Sequence, residues 1–129
     1  MEKRLINPWQ WQDARGYAQA VEVKNVTGTL YCAGQAAVLP DGSSSTADME
    51  TQLRLAIQNL EQVISAADYA PSGIVRLTVY TTSSEEFLFC FPILIDWVRQ
   101  HGIQQATTLL EVKSLYETLK VELEATVVK

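Results

Sequence analysis

From Leu119 to Val127 the chain alternates apolar and polar residues without a break. That period of two predicts a strand over 119–128 with one buried face, and it sets Glu122 and Glu124 together on the other face. Residues 107–113 predict a strand just before it. Ile74 to Thr81 is rich in β-branched residues and predicts another, with Ile74, Arg76, Thr78 and Tyr80 on one side and Val75, Leu77 and Val79 on the other. Near the front, residues 17–23 predict a strand opened by Tyr17. Asn25 to Gly28 supply turn chemistry, and residues 29–34 predict a second strand, so the pair reads as a hairpin. The period changes between about Thr46 and Ala67. There Met49, Leu53, Ala56, Leu60, Val63 and Ala67 recur at steps of three and four, the mark of one helix face, with Ser45 or Thr46 as cap. A second helix is predicted from Ser83, which stands at capping-box spacing from Glu86, to His101-Gly102. Pro92 inside it predicts a kink or a late start.

The order β-β-α-β-α-β-β predicts an α+β fold, a mixed sheet with two helices packed on one face. No further helix is left to cover the other face. Other subunits must then cover it, so an oligomer is expected from the pattern alone.

A chain of 129 residues fits one domain, spanning 1–129. Hydrophobic content of 47% with 19% charged residues is that of a globular chain. No apolar run approaches the roughly 20 residues of a membrane helix, and Met1 to Trp9 lacks the apolar stretch of a secretory leader; a cytoplasmic protein is expected. The net charge of −5 and the lack of any Lys/Arg run argue against nucleic acid as a partner. The two cysteines, Cys32 and Cys90, sit among apolar neighbours and read as buried free thiols rather than a disulfide. One histidine and no Cys-x-x-Cys give no basis for a metal site, and no phosphate loop accompanies Gly34 or Gly42, which read as bulge and turn residues. No cofactor motif is present.

Candidate chemistry is sparse. Glu122 and Glu124 read on spacing alone as solvated carboxylates, though a carboxylate in a cleft can hold water. Tyr17 reads as a half-buried aromatic or as a hydroxyl donor in a cleft. Thr107 and Thr108 satisfy β-propensity and could contact a small polar ligand. His101 beside Gly102 reads as an exposed cation at a helix end. Trp9 and Trp11 read as packing residues.

Gly16-Tyr17, Gln19 and Val21, then Ala33-Gly34-Gln35, Pro40-Asp41-Gly42, Gln52 with Asn59-Leu60, Val75 to Tyr80, Phe87, Thr108 to Val112 and Val121 to Ala125 together resemble the RidA/YjgF family, also labelled endoribonuclease L-PSP. The resemblance covers residues 16–128. It implies a barrel-centred homotrimer with a small-molecule cleft at each subunit interface, and hydrolysis (deamination) of imines or enamines. Carried over by position, the family's tyrosine is Tyr17 and its glutamate is Glu122, which makes these the candidate catalytic pair. Its substrate-binding arginine is Thr107, its cysteine is Leu109, its serine before Gly34 is Ala33, and an asparagine of the second helix is Phe91. Thr107, Thr108, Ala33, Gly34, Phe91 and Leu109 are therefore the expected substrate-binding residues. Threonine cannot copy a bidentate arginine–carboxylate pair. The expected ligand is therefore neutral or apolar, and the expected substrate is an imine or enamine other than the usual one derived from serine or threonine. A non-catalytic binding or regulatory trimer is the alternative. Endoribonuclease activity is argued against by the charge and by the absence of a His pair.

Overall fold

A computed structural model describes residues 1–129. The strands are β1 (Glu2–Ile6), β2 (Ala20–Lys24), β3 (Thr29–Ala36), β4 (Ile74–Thr81), β5 (Ala106–Glu111) and β6 (Val121–Val128); the helices are α1 (Met49–Ala66) and α2 (Ser84–Gln100). The main sheet runs β3-β6-β4-β5, antiparallel except for the parallel pair β4/β5. Two crossovers, β3-α1-β4 and β4-α2-β5, step in the same direction along it. Right-handed crossovers that step in one direction put both helices on one face. A single cluster of 19 buried residues accordingly joins Leu53, Leu60 and Ile64 of α1, Phe87 and Trp97 of α2, and Leu77, Val79, Leu123 and Val127 of the sheet.

Both helices are capped by short polar side chains. Asp48, not Ser45 or Thr46, caps α1, accepting from the Thr51 N–H at 3.0 Å. Ser83 Oγ accepts from the Glu86 N–H at 3.2 Å, as its spacing predicts. The α2 C-terminus closes with Gly102 at φ +62°, where the Gly102 N–H donates to Arg99 and the Ile103 N–H to Val98. Pro92 lies within the continuous helix, so the start is not delayed.

The predicted hairpin is not formed. β2 pairs with β1, a strand the sequence pattern did not reveal, and β3 pairs with β6. The reason lies in the connection. Asn25 takes a left-handed φ of +57°, and the Thr27 and Gly28 N–H groups both donate to the Lys129 carbonyl, which hands the chain to the C-terminal strand. β1 is itself mostly exposed and held by such pairs as Arg4–Glu22 at 3.2 Å, so it carries no apolar alternation. β4 also departs from strict alternation. A register irregularity between Ile74 and Arg76 turns Ile74 into the core with Leu77. The uncovered face of the sheet carries Tyr31, Arg76, Thr78, Tyr80, Thr108, Leu110, Glu122, Glu124 and Thr126. Tyr31 is 80% exposed there.

Two buried amides fasten the loops to this frame. Gln52 is fully buried; its Nε2 donates to the carbonyls of Ser45, Ala47 and Thr118, and its Oε1 accepts from the Lys120 N–H. Asn59 donates to the carbonyls of Ala36 and Val38. No helix is long and apolar enough to cross a membrane.

Candidate functional site

Tyr17 does not open a strand. One 3-10 turn, Asp13–Arg15, ends at Gly16, whose φ of +73° breaks the extended path, and Tyr17 stands in the irregular stretch before β2. Gln105, buried just before β5, straps this stretch down. Its backbone carbonyl accepts from the Ala18 N–H at 2.8 Å, and its Nε2 donates to the Gly16 carbonyl at 2.9 Å. The same Nε2 donates to Thr107 Oγ1 at 3.0 Å. Tyr17 and Thr107 thereby meet at a cavity of about 410 Å³, lined also by Arg15, Val79, Phe87, Leu88, Phe91 and Leu109. Thr107 and Leu109 reach it because they pair with Leu77 and Val79 and so point to the helix side of the sheet.

Ala33, Gly34 and Glu122 gather elsewhere. The register of β3 against β6 shifts between Cys32 and Gln35, a bulge at Ala33-Gly34. A Cβ built on Gly34 would stand 2.5 Å from Glu122 Cδ, so the missing side chain leaves the room that the carboxylate occupies. Glu122 alternates with core residues and points to the uncovered face, opposite the Tyr17 cavity. Thr108 also points to that face, where its Oγ1 accepts from Arg76 at 2.9 Å. The eight predicted site residues thus fall into three places within one chain. Tyr17, Phe91, Thr107 and Leu109 share a cavity; Ala33, Gly34 and Glu122 share a bulge; Thr108 stands apart from both.

On the same uncovered face the Tyr80 hydroxyl donates to Glu124 Oε1 at 3.0 Å, and this bond, with the negative charge beside it, pushes the phenol above its usual range. Burial raises both thiols: Cys32 is buried, Cys90 half-buried, and they form no disulfide. Neither is primed as a nucleophile. His101 packs against Trp97 with Glu61 at 3.8 Å, away from the Tyr17 cavity. Trp9 and Trp11 do not enter the core. They stack on one another at 6.2 Å, and Trp11 meets the edge of Tyr17 at 6.4 Å.

Two residues, Arg15 of the cavity wall and Gln105 behind it, carry no local signal. Arg15 stands in a single irregular turn where no periodicity assigns a face, yet it lines the cavity. Gln105 reads as an ordinary loop amide until its three hydrogen bonds are seen. A glutamine two residues before a threonine at a strand entrance is the only hint, and it is weak.

Two crossover helices on one face of a mixed sheet, with an apolar cavity walled by α2, the β5 edge and an N-terminal turn, define an α+β protein of the Rid type. The chain belongs to the RidA/YjgF family: the profile described as "Endoribonuclease L-PSP" matches residues 10–129. Among its relatives is the 2-iminobutanoate/2-iminopropanoate deaminase of Escherichia coli K12, 27% identical over 114 residues, covering 88% of this chain and 87% of the relative. The fold matches YyfB, a Rid-family protein of unknown function from Yersinia pestis, with a TM-score of 0.88 and 28% identity over the whole of both chains. It also matches E. coli TdcF, solved with bound serine, with a TM-score of 0.72 and 24% identity over 88% of this chain and 87% of that one.

Proposed function

We propose that the chain is a RidA-type hydrolase that deaminates an imine or enamine in clefts formed between the subunits of a homotrimer. The observation that carries the proposal is the division of the site. The Tyr17–Thr107 cavity and the Gly34–Glu122 bulge lie on opposite sides of one sheet, and in this reading each supplies half of a site. Packing the uncovered face of one subunit against the next offers a way to bring unlike halves together. Family membership and the deaminase among the relatives support the same reading.

In such a cleft Glu122 orients or deprotonates the attacking water and Tyr17 steadies the nitrogen or oxygen of the substrate. Water adds to the C=N carbon, the nitrogen takes a proton, and collapse of the carbinolamine expels ammonia and leaves a carbonyl. No metal or redox partner enters that balance. The five hydrocarbon side chains of the cavity favour a substrate with more hydrocarbon than the small imines derived from serine or threonine. The proposed setting is the cytoplasm, with no nucleic-acid partner.

The test is hydrolysis of imino acids generated in situ. The unaltered protein accelerates ammonia release, and Glu122→Gln lowers kcat by about a hundredfold or more. If Glu122→Ala leaves both turnover and ligand binding unchanged, the site assignment fails. Ligand binding without turnover would favour the non-catalytic trimer, a reading that the apolar walls supplied by Phe91 and Leu109 also permit.

A further inference from the structure

Among the residues that line the Tyr17 cavity only Arg15, Tyr17 and Thr107 are polar, and their hydrogen-bonding capacities point one way. Arg15 has donors only. Thr107 Oγ1 already accepts from Gln105 Nε2, and the Gln105 amide cannot be turned round, because the same nitrogen must face the Gly16 carbonyl. The Thr107 hydroxyl proton is therefore left to donate outward. The Tyr17 hydroxyl is a third donor. No acceptor-only group faces them, since the rest of the lining is hydrocarbon, including Phe87, Phe91 and Leu109.

Arg15 is also free to serve. Arg4 is paired with Glu22, Arg54 with Glu50 and Lys120 with Glu86, whereas Arg15 makes no ion pair. Its guanidinium lies 4.9 Å from the centre of the Trp11 ring, which in turn leans on Tyr17. Stacking on an aromatic ring limits the directions in which the guanidinium can point while leaving its N–H edge open.

We infer that Arg15 is a specificity-determining residue that binds the carboxylate of the substrate, and that the substrate class is an organic acid with a bulky apolar or aromatic body. This rests on the reading of the cavity as half of the substrate cleft. The acid head lies among Arg15, Thr107 and Tyr17, and the body lies against Phe87, Phe91 and Leu109. A neutral amide offers these donors one carbonyl oxygen, whereas a carboxylate offers two anionic oxygens and pairs with the guanidinium charge, which is why the charge is selected as well as the size.

The test uses 3-phenylpropanoate and its uncharged counterpart 3-phenylpropanamide as non-reacting probes, followed by Trp11 fluorescence and calorimetry. The unaltered protein binds the acid at least about tenfold more tightly than the amide. Arg15→Gln removes that preference by weakening the acid alone, Arg15→Lys restores part of it, and unchanged melting temperatures show that both variants are folded. Equal affinity for the two probes in the unaltered protein, binding of neither, or a preference that survives Arg15→Gln overturns the inference. Imine hydrolysis that depends on Glu122 but not on Arg15 would leave the proposed function standing while this assignment falls.

Discussion

At the scale of the residue, the candidate site depends as much on what is missing as on what is present. Gly34 has no side chain where Glu122 lies, and a methyl group there would sit 2.5 Å from the carboxyl carbon. The obstruction is the end of a flexible side chain, not backbone, so the carboxylate moves rather than the strand. Gly34→Ala is therefore expected to lower imine hydrolysis by about tenfold or more, through misplacement of Glu122, with little change in melting temperature. Paired kinetics and thermal unfolding check this; a large stability loss would mean that the bulge itself, not Glu122, had been disturbed. Thr107 shows how context sets a role. Its type alone gives a β-former, whereas Gln105 turns it into a directed donor.

At the scale of the element, the helices and the three C-terminal strands were legible because each has a single apolar face and a clear boundary. The alternation of 119–128 survives in the buried and exposed residues of β6, and Ser83 caps α2 from the position its spacing gives. Elements held by other means were not legible. β1 is charged and mostly exposed, the irregular start of β4 swaps Ile74 for Val75 on the core face, and the 16–18 stretch is shaped by a glutamine 89 residues away from Gly16. The candidate site follows the same division. Tyr17, Thr107, Phe91 and Leu109 could be named by position, but Arg15 could not, because an arginine in one irregular turn acquires its direction only from tertiary contacts. The cap of α1 gives an element-level prediction. Hydrogen bonds from Thr51, by side chain and then by backbone N–H, hold the Asp48 carboxyl below its usual range. A depressed carboxylate stabilises the fold above its unfolded pKa of about 4 and loses that contribution as pH falls through its folded value. Asp48→Ala should thus lower the melting temperature at pH 7, and the gap from the unaltered protein should shrink as pH is taken below about 4. A gap that does not change with pH would place the effect in packing.

At the scale of the whole molecule, the face that no helix covers is the one on which the proposed trimer depends. It combines Tyr31 and Leu110, both exposed in one chain, with Tyr80–Glu124 and Arg76–Thr108 pairs that are already satisfied. Under the proposed function another copy of the chain would cover this face. Light scattering is expected to give about three times the 14.4 kDa of one chain; a monomer would remove the basis for joining the two halves of the site. A negative charge introduced on this face, as in Tyr31→Glu, should shift the mass downward and abolish turnover together.

The separation of the Tyr17 cavity from the Glu122 bulge also has a genetic meaning. A cleft assembled from unlike halves belongs to no single gene product. A chain spoiled at Tyr17 still offers a sound Glu122, and a chain spoiled at Glu122 still offers a sound Tyr17. Two alleles that are each inactive alone would therefore complement when co-expressed, because some clefts in the mixed population inherit one intact half from each parent. Two lesions carried on the same chain would have no such remedy.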